Sequence, residues 1–145
     1  MAKMEPYIYE WYSFLKNGEL MGTRCTKCGA YEFPPLPICN ECGERKMEWV
    51  KMSGHAKMLN AGYAPMGIYP LSDDPKVCIG VQMEEGPMFK SWLAGVKKPA
   101  KLAGELQKTP MPIDVEAEIV ALDENISWPA FRIVENQEDM NYDYY

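Results

Sequence analysis

The strongest constraint on this chain is a pair of Cys-x-x-Cys-Gly knuckles. Cys25 and Cys28 form the first and Cys39 and Cys42 the second, with ten residues between the pairs. Two matched pairs of thiols are the donor set of a tetrahedral metal site, and the spacing reads as a structural zinc (Zn2+) ribbon. The glycine after each pair, Gly29 and Gly43, has a mechanical reason: a tight knuckle that turns backbone amides toward the sulfurs needs a positive φ. A zinc ion that performs Lewis-acid chemistry keeps one position open, and four cysteines leave none. The knuckles therefore predict a clamp rather than a reaction centre.

A chain of 145 residues is about one domain, or one domain plus a metal-held module too small to build a core alone. Hydrophobic content of 47% with 25% charged residues is that of a soluble globular protein, and no apolar run approaches the roughly 20 residues that span a bilayer. The opening Met-Ala-Lys-Met-Glu-Pro lacks an apolar signal core. The chain is therefore expected in the cytoplasm, with reduced thiols rather than disulfides and with no membrane partner. Its formal charge is −6 with neutral thiols, and four thiolates around one divalent ion would take it to about −8.

Tyr7, Ile8, Trp11, Phe14 and Leu15 fall at helical spacing between Pro6 and Asn17-Gly18, which predicts an amphipathic helix. Its aromatic face has two open readings, a patch for a partner or packing on the chain's own core. Glu19 to Thr23 leads as a strand into the first knuckle. Pro34-Pro35-Leu36-Pro37 makes a stiff connector to the second, and Met47 to Met52 leaves it as a strand that breaks at Ser53-Gly54. Strand-like stretches follow at His55 to Tyr63, Val77 to Glu84, Met88 to Leu93, Val115 to Leu122 and Trp128 to Val134, with turns at Glu85-Gly86-Pro87 and Asp123-Glu124-Asn125. Tyr63 to Asp74 is a long loop, of a size that often carries function in small domains.

Val96 to Lys108, with Pro99 near its start, is the helical candidate of this second half. Five strands with a short helix between the third and fourth predict a small five-stranded Greek-key barrel, the OB-fold. The expected fold is mainly β: an N-terminal amphipathic helix (1–18), a four-cysteine zinc ribbon (19–50), an OB-fold barrel (51–135) and an acidic, tyrosine-rich tail (136–145).

Arg24-Cys25, Phe33-Pro34-Pro35, Cys39-Asn40-Glu41-Cys42-Gly43, Ser53-Gly54 and Glu85-Gly86-Pro87 carry a more specific signal. In this order they resemble the rubredoxin-like zinc-ribbon/OB-fold family of small acyl-CoA-associated proteins that accompany thiolases and related condensing enzymes. The resemblance runs from about Tyr7 to Val134. One departure is Ser53-Gly54-His55-Ala56, where family members often read Ser-Gly-x-Gly. The resemblance implies a non-catalytic subunit, holding structural zinc and bound to a thiolase-type partner that carries the reactive cysteine. Coenzyme A or an acyl-CoA would be a ligand shared with that partner.

Cys78 is the one thiol outside the knuckles and His55 the one histidine, and neither stands in a nucleophile elbow or a Gly-rich loop, so no catalytic residue is assigned. Lys90, Lys97, Lys98, Lys101 and Lys108 against Glu105 make residues 90–108 net +4. So short a basic stretch suits a compact anion better than a long backbone. Under the resemblance, Lys97, Lys98 and Lys101 are candidate contacts for the CoA phosphates, against the plainer reading of a solvated helix end.

Two other readings compete. A nucleic-acid-binding ribbon/OB module needs phosphate neutralisation, and the overall charge has the wrong sign. A rubredoxin-like electron carrier is suggested by Cys28-Gly29-Ala30-Tyr31, but the ten-residue separation is shorter than rubredoxin's. Glu135 to Tyr145, with four acidic residues and three tyrosines, is expected as a solvated tail or as a segment that docks tyrosines into a partner.

Overall fold

The computed structural model describes residues 6–67 and 74–134. Helix α1 (Pro6–Lys16) is followed by β1 (Met21–Cys25), β2 (Tyr31–Glu32) and β3 (Met47–Lys51), which pair as an antiparallel sheet in the order β2-β1-β3. β1 is central and ends on Cys25, so the first knuckle grows directly out of a strand held on both sides. Five further strands are β4 (His55–Ala64), β5 (Lys76–Met83), β6 (Met88–Trp92), β7 (Ile113–Ala121) and β8 (Ser127–Ile133). Helix α2 (Pro99–Lys108) lies between β6 and β7.

These five strands form one antiparallel sheet in the order β6-β5-β4-β7-β8. The sheet curls until its two edges meet. Leu93 forms a parallel bridge with Phe131, the Ala94 amide donates to Phe131 O at 2.8 Å, and the Ser91 hydroxyl donates to Pro129 O at 2.7 Å. The strand order and the helix after the third strand are those expected of the OB-type barrel. Closure through a few bonds rather than a full ladder makes it a half-barrel. The expected loop from Tyr63 begins later than its composition suggests, because β4 continues through Ala64. Residues 68–73 of that loop and the tail from 135 to 145 lie outside the described residues.

Alternation in the strands fills the core. On β5, Val77, Ile79, Val81 and Met83 point inward, and α2 adds Leu102, Ala103 and Leu106 against β4 and β5. The same apolar cluster runs on without a break into Trp11 and Leu15 of α1 and Phe33 of the connector. Phe33 is the keystone. Its ring meets Trp11 edge-on at 5.7 Å and Phe89 edge-on at 4.9 Å, joining helix, knuckle module and half-barrel. Trp11 also meets Trp128 at 5.7 Å, and its indole N–H donates to Met21 O at 3.0 Å. Tyr7 and Phe14 pack on Trp49 of β3, each at 5.1 Å. The aromatic face of α1 thus covers the chain's own core, while Ile8 (44% exposed) and Tyr9 (66%) lie outside that packing.

The bend after β3 forms at Gly54, whose φ of +83° suits glycine and whose carbonyl accepts from the Ala117 amide at 2.8 Å. Ala56 lies two residues on, buried in β4, so its departure from glycine leaves the bend intact.

Phe33→Ala removes the shared ring and is expected to cost about 3–5 kcal/mol in urea unfolding. Leu36→Ala, in the same connector with a side chain in a residue 39% exposed, is expected to stay within about 0.5 kcal/mol.

Candidate metal centre

The two knuckles are built alike. In the first, the Gly29 amide donates to Cys25 O at 3.0 Å and the Cys25 amide to Ala30 O at 2.8 Å. In the second, the Gly43 amide donates to Cys39 O at 2.9 Å and the Cys39 amide to Glu44 O at 2.9 Å. Gly29 at φ +81° and Gly43 at φ +76° make both reversals possible, as the sequence requires. Facing each other, the knuckles bring the sulfurs of Cys25, Cys28, Cys39 and Cys42 within 4.8 Å of one another. Cys25 Sγ lies 3.6 Å from Cys42 Sγ and Cys28 Sγ 3.5 Å from Cys39 Sγ. Thiolates at 2.3 Å from a tetrahedral zinc sit about 3.8 Å apart, so the donor set fits one ion with small adjustment.

Backbone amides prepare the sulfurs. The Cys28 amide, aided by that of Lys27, reaches Cys25 Sγ at 3.4 Å and holds its thiol down to about 6. Cys28 receives the Ala30 amide, yet its contacts with the other three thiols together with desolvation push it up to about 12, and Cys42 moves upward despite the Glu44 amide. One thiolate forms readily and the next resists. A divalent cation supplies the charge that lets all four ionise. With four sulfurs closing the coordination shell, the arrangement can hold the fold but offers no open position for a substrate.

Two bracing residues escape a sequence reading. Thr23 is fully buried (0%) in β1, and its hydroxyl both donates to Leu36 O at 3.1 Å and accepts from the Leu36 amide at 3.2 Å, tying the proline connector to the strand. A threonine at an inward strand position just before a knuckle was the available signal. Glu32 of β2 accepts from the Asn40 amide at 2.9 Å and from Asn40 Nδ2 at 3.1 Å, which fixes the second knuckle against the first. Nothing in the sequence marks that pair.

The other candidates are dispersed. Cys78 is half-buried on β5, opposite Gly62, and burial raises its thiol pKa. His55 begins β4, with Nδ1 3.7 Å from Glu116. Seven strand positions separate His55 from Gly62, roughly 20 Å, so the structure does not bring this thiol and imidazole together. Of the lysines, Lys97 and Lys98 immediately precede α2 and Lys101 lies in its first turn, all exposed. Lys108 ends the helix, about 15 Å away, and Lys90 is on β6. The five are therefore not one patch. The three named for CoA contact share one helix end.

Cys42→Ser removes one donor and is expected to lower zinc content from about one ion per chain toward none and to drop the thermal midpoint by about 10 °C or more. Elemental analysis and a melting curve check both, and a strong chelator should produce the same shift in the unaltered chain.

Comparison with known proteins agrees with this geometry. Residues 13–48, which contain all four cysteines, match the family model of the ChsH2 rubredoxin-like zinc ribbon domain. A DUF35 domain-containing scaffold protein from Pyrococcus furiosus is 32% identical over 95 residues, covering 60% of this chain and 64% of that protein. Another from Methanocaldococcus jannaschii is 27% identical over 94 residues, covering 62% and 65%. A probable enoyl-CoA hydratase alpha subunit from Thermomonospora curvata is 24% identical over 129 residues, which are 89% of this chain and 38% of that protein. The chain thus spans less than two thirds of the length of these three relatives. Among solved structures, a chain of the Ltp2-ChsH2(DUF35) aldolase superposes with a TM-score of 0.70 at 22% identity, covering 92% of this chain and 98% of that one. A DUF35-family protein from Sulfolobus solfataricus superposes with a TM-score of 0.55 at 16% identity, covering 90% and 87%. At these identities the structural likeness is one of fold. Together the matches show a chain similar to the DUF35 scaffold proteins, in which residues 13–48 match the ChsH2 rubredoxin-like zinc ribbon domain.

Proposed function

We propose that this chain is a non-catalytic zinc-ribbon subunit of a heteromeric acyl-CoA-processing complex, with Cys25, Cys28, Cys39 and Cys42 holding a structural zinc. The observation that carries the reading is the closed four-sulfur site at the end of β1, which can anchor a fold and offers no place for a reacting group. Sequence similarity to scaffold proteins and to a chain named as a probable enoyl-CoA hydratase alpha subunit, and a fold shared with a chain of the Ltp2-ChsH2(DUF35) aldolase, support this reading.

Within this reading the partner is a thiolase-type subunit that carries the reactive cysteine, and the setting is cytoplasmic. The finer assignment is to the small subunit of a benzoylsuccinyl-CoA thiolase of anaerobic toluene degradation, which the sequence resembles. The half-barrel would help shape the acyl-CoA entrance. Lys97, Lys98 and Lys101 are the residues proposed to meet the CoA phosphates. Support comes from the helix itself: the first turn of α2 has no acidic residue, and Lys98 at its start makes no side-chain cap. Cations at a helix N-terminus oppose the helix dipole, and a bound phosphate relieves that conflict.

Native mass spectrometry of the co-purified protein is expected to show zinc and a thiolase-sized partner. A lone chain that retains oligonucleotide instead would favour a nucleic-acid-binding module, and a visible absorption band would favour iron and electron transfer. In the assembled complex, Lys97→Glu with Lys98→Glu is expected to raise KM for acyl-CoA by about tenfold at nearly constant kcat. An unchanged KM rejects the phosphate contact.

A further inference from the structure

The outer face of β4, β5 and β6 carries a groove of about 530 Å³ that the metal centre and the α2 lysines do not use. Strand register builds it from two adjacent rows. One row runs Gly62, Cys78, Trp92 and the next runs Asn60, Gly80, Lys90, each residue paired with its neighbour across the sheet. Positions two apart on a strand share a face, so both rows lie on one side, while Val77, Ile79 and Val81 fill the core on the other. The register shift between Met58 and Asn60 sets this half of β4 on that face. Trp128 of β8 completes the wall, its ring 11° from parallel to that of Trp92 with centroids 6.4 Å apart.

Gly62 is the informative residue. Glycine in a strand interior weakens the strand and usually answers to a bulge, a positive φ or a close approach. None applies here. Gly62 pairs in regular register with Cys78, its φ is not in the left-handed range, and a Cβ built on it would meet nothing within 4 Å. Gly80, by contrast, is explained: the Asn60 side chain covers it, with Oδ1 accepting from the Gly80 amide at 3.1 Å and both terminal atoms 3.0 Å from where a Cβ would stand. Gly62 therefore leaves open space that no side chain of the described residues fills.

Lys90 gives that space a chemistry, and Trp128 beside it carries an unexplained polar atom. Lys90 lines the groove, is exposed, and makes no ion pair among the described residues, and no carboxylate lines the groove with it. The indole N–H of Trp128 is buried without a hydrogen-bond partner, a state that native structures rarely leave unexplained. A carboxylate supplies the counter-charge that Lys90 lacks among the described residues. The remaining lining is Cys78, the two indoles and the strand positions between the rows, Ala61, Ile79 and Ser91, the last with its hydroxyl already bonded to Pro129 O. The volume lies within the range of small-ligand sites.

We propose that this groove binds a small flat apolar anion, an aromatic or unsaturated carboxylate, with its plane over Gly62 and Cys78 and its charge at Lys90. The site is separate from the α2 lysines and holds whether or not the chain serves an acyl-CoA enzyme.

The test titrates 2-naphthoate into the zinc-loaded full chain, following tryptophan fluorescence and amide chemical shifts. Saturable binding is expected, with shifts centred on 60–62, 78–80 and 90–92. The neutral isostere 2-naphthamide and the Lys90→Gln variant should each weaken it by about tenfold. Gly62→Leu should abolish it by filling the floor, with an unchanged melting curve showing that the fold persists. Absence of saturable binding overturns the proposal. So does binding that 2-naphthamide matches, or that Lys90→Gln leaves unaltered, and the lysine variant decides the matter on its own should Gly62→Leu not fold.

Discussion

Four sulfurs confined within 4.8 Å of one another are the constraint on which the rest of this molecule depends. Two knuckles deliver them, each a reversal at a positive-φ glycine, and each knuckle amide that points at a sulfur favours a thiolate. Without a cation four thiolates this close would repel one another, and contact with neighbouring thiols together with desolvation raises Cys28 and Cys42 while backbone amides lower Cys25. A metal ion turns that repulsion into a clamp. Its consequence is mechanical, because β1 ends on Cys25 and the connector that starts at the first knuckle carries Phe33 into the core.

From Phe33 the order spreads. Trp11, Phe89, Trp128 and Phe131 form a chain of ring contacts between 4.9 and 6.4 Å that no single element could bury alone. Helix α1 is short, and an isolated helix of its length is marginal in water, so it owes its place to those rings. The half-barrel in turn closes its edges with the Leu93 to Phe131 bridge and the Ser91 to Pro129 bond. Clamp, aromatic junction and curled sheet share one core, and this leaves the exposed faces free to differ in purpose.

Much of this was legible in the residues because it is local. Ligand spacing, the glycine after each knuckle and strand alternation report on neighbours a few positions away, and the strand order with α2 after β6 came out as the pattern implied. What could not be read is what depends on distant partners. Thr23 meeting Leu36 and Glu32 meeting Asn40 are pairings across a folded connector. The aromatic face of α1 had two readings until Trp49 and Phe33 were placed against it. Five lysines close in sequence part company because a helix carries Lys108 to its far end and a strand holds Lys90 apart. The empty space above Gly62 is likewise a property of three strands in register, invisible in any one of them.

A clamp that is chemically closed is the ground on which we propose that this chain works beside a catalytic partner. The most direct measurement of that claim is acyl-CoA conversion by three purified samples: this zinc-loaded chain alone, the catalytic subunit alone, and the two combined. The account predicts no turnover by the chain alone and the highest turnover by the pair. Conversion of acyl-CoA by this chain in isolation would contradict it.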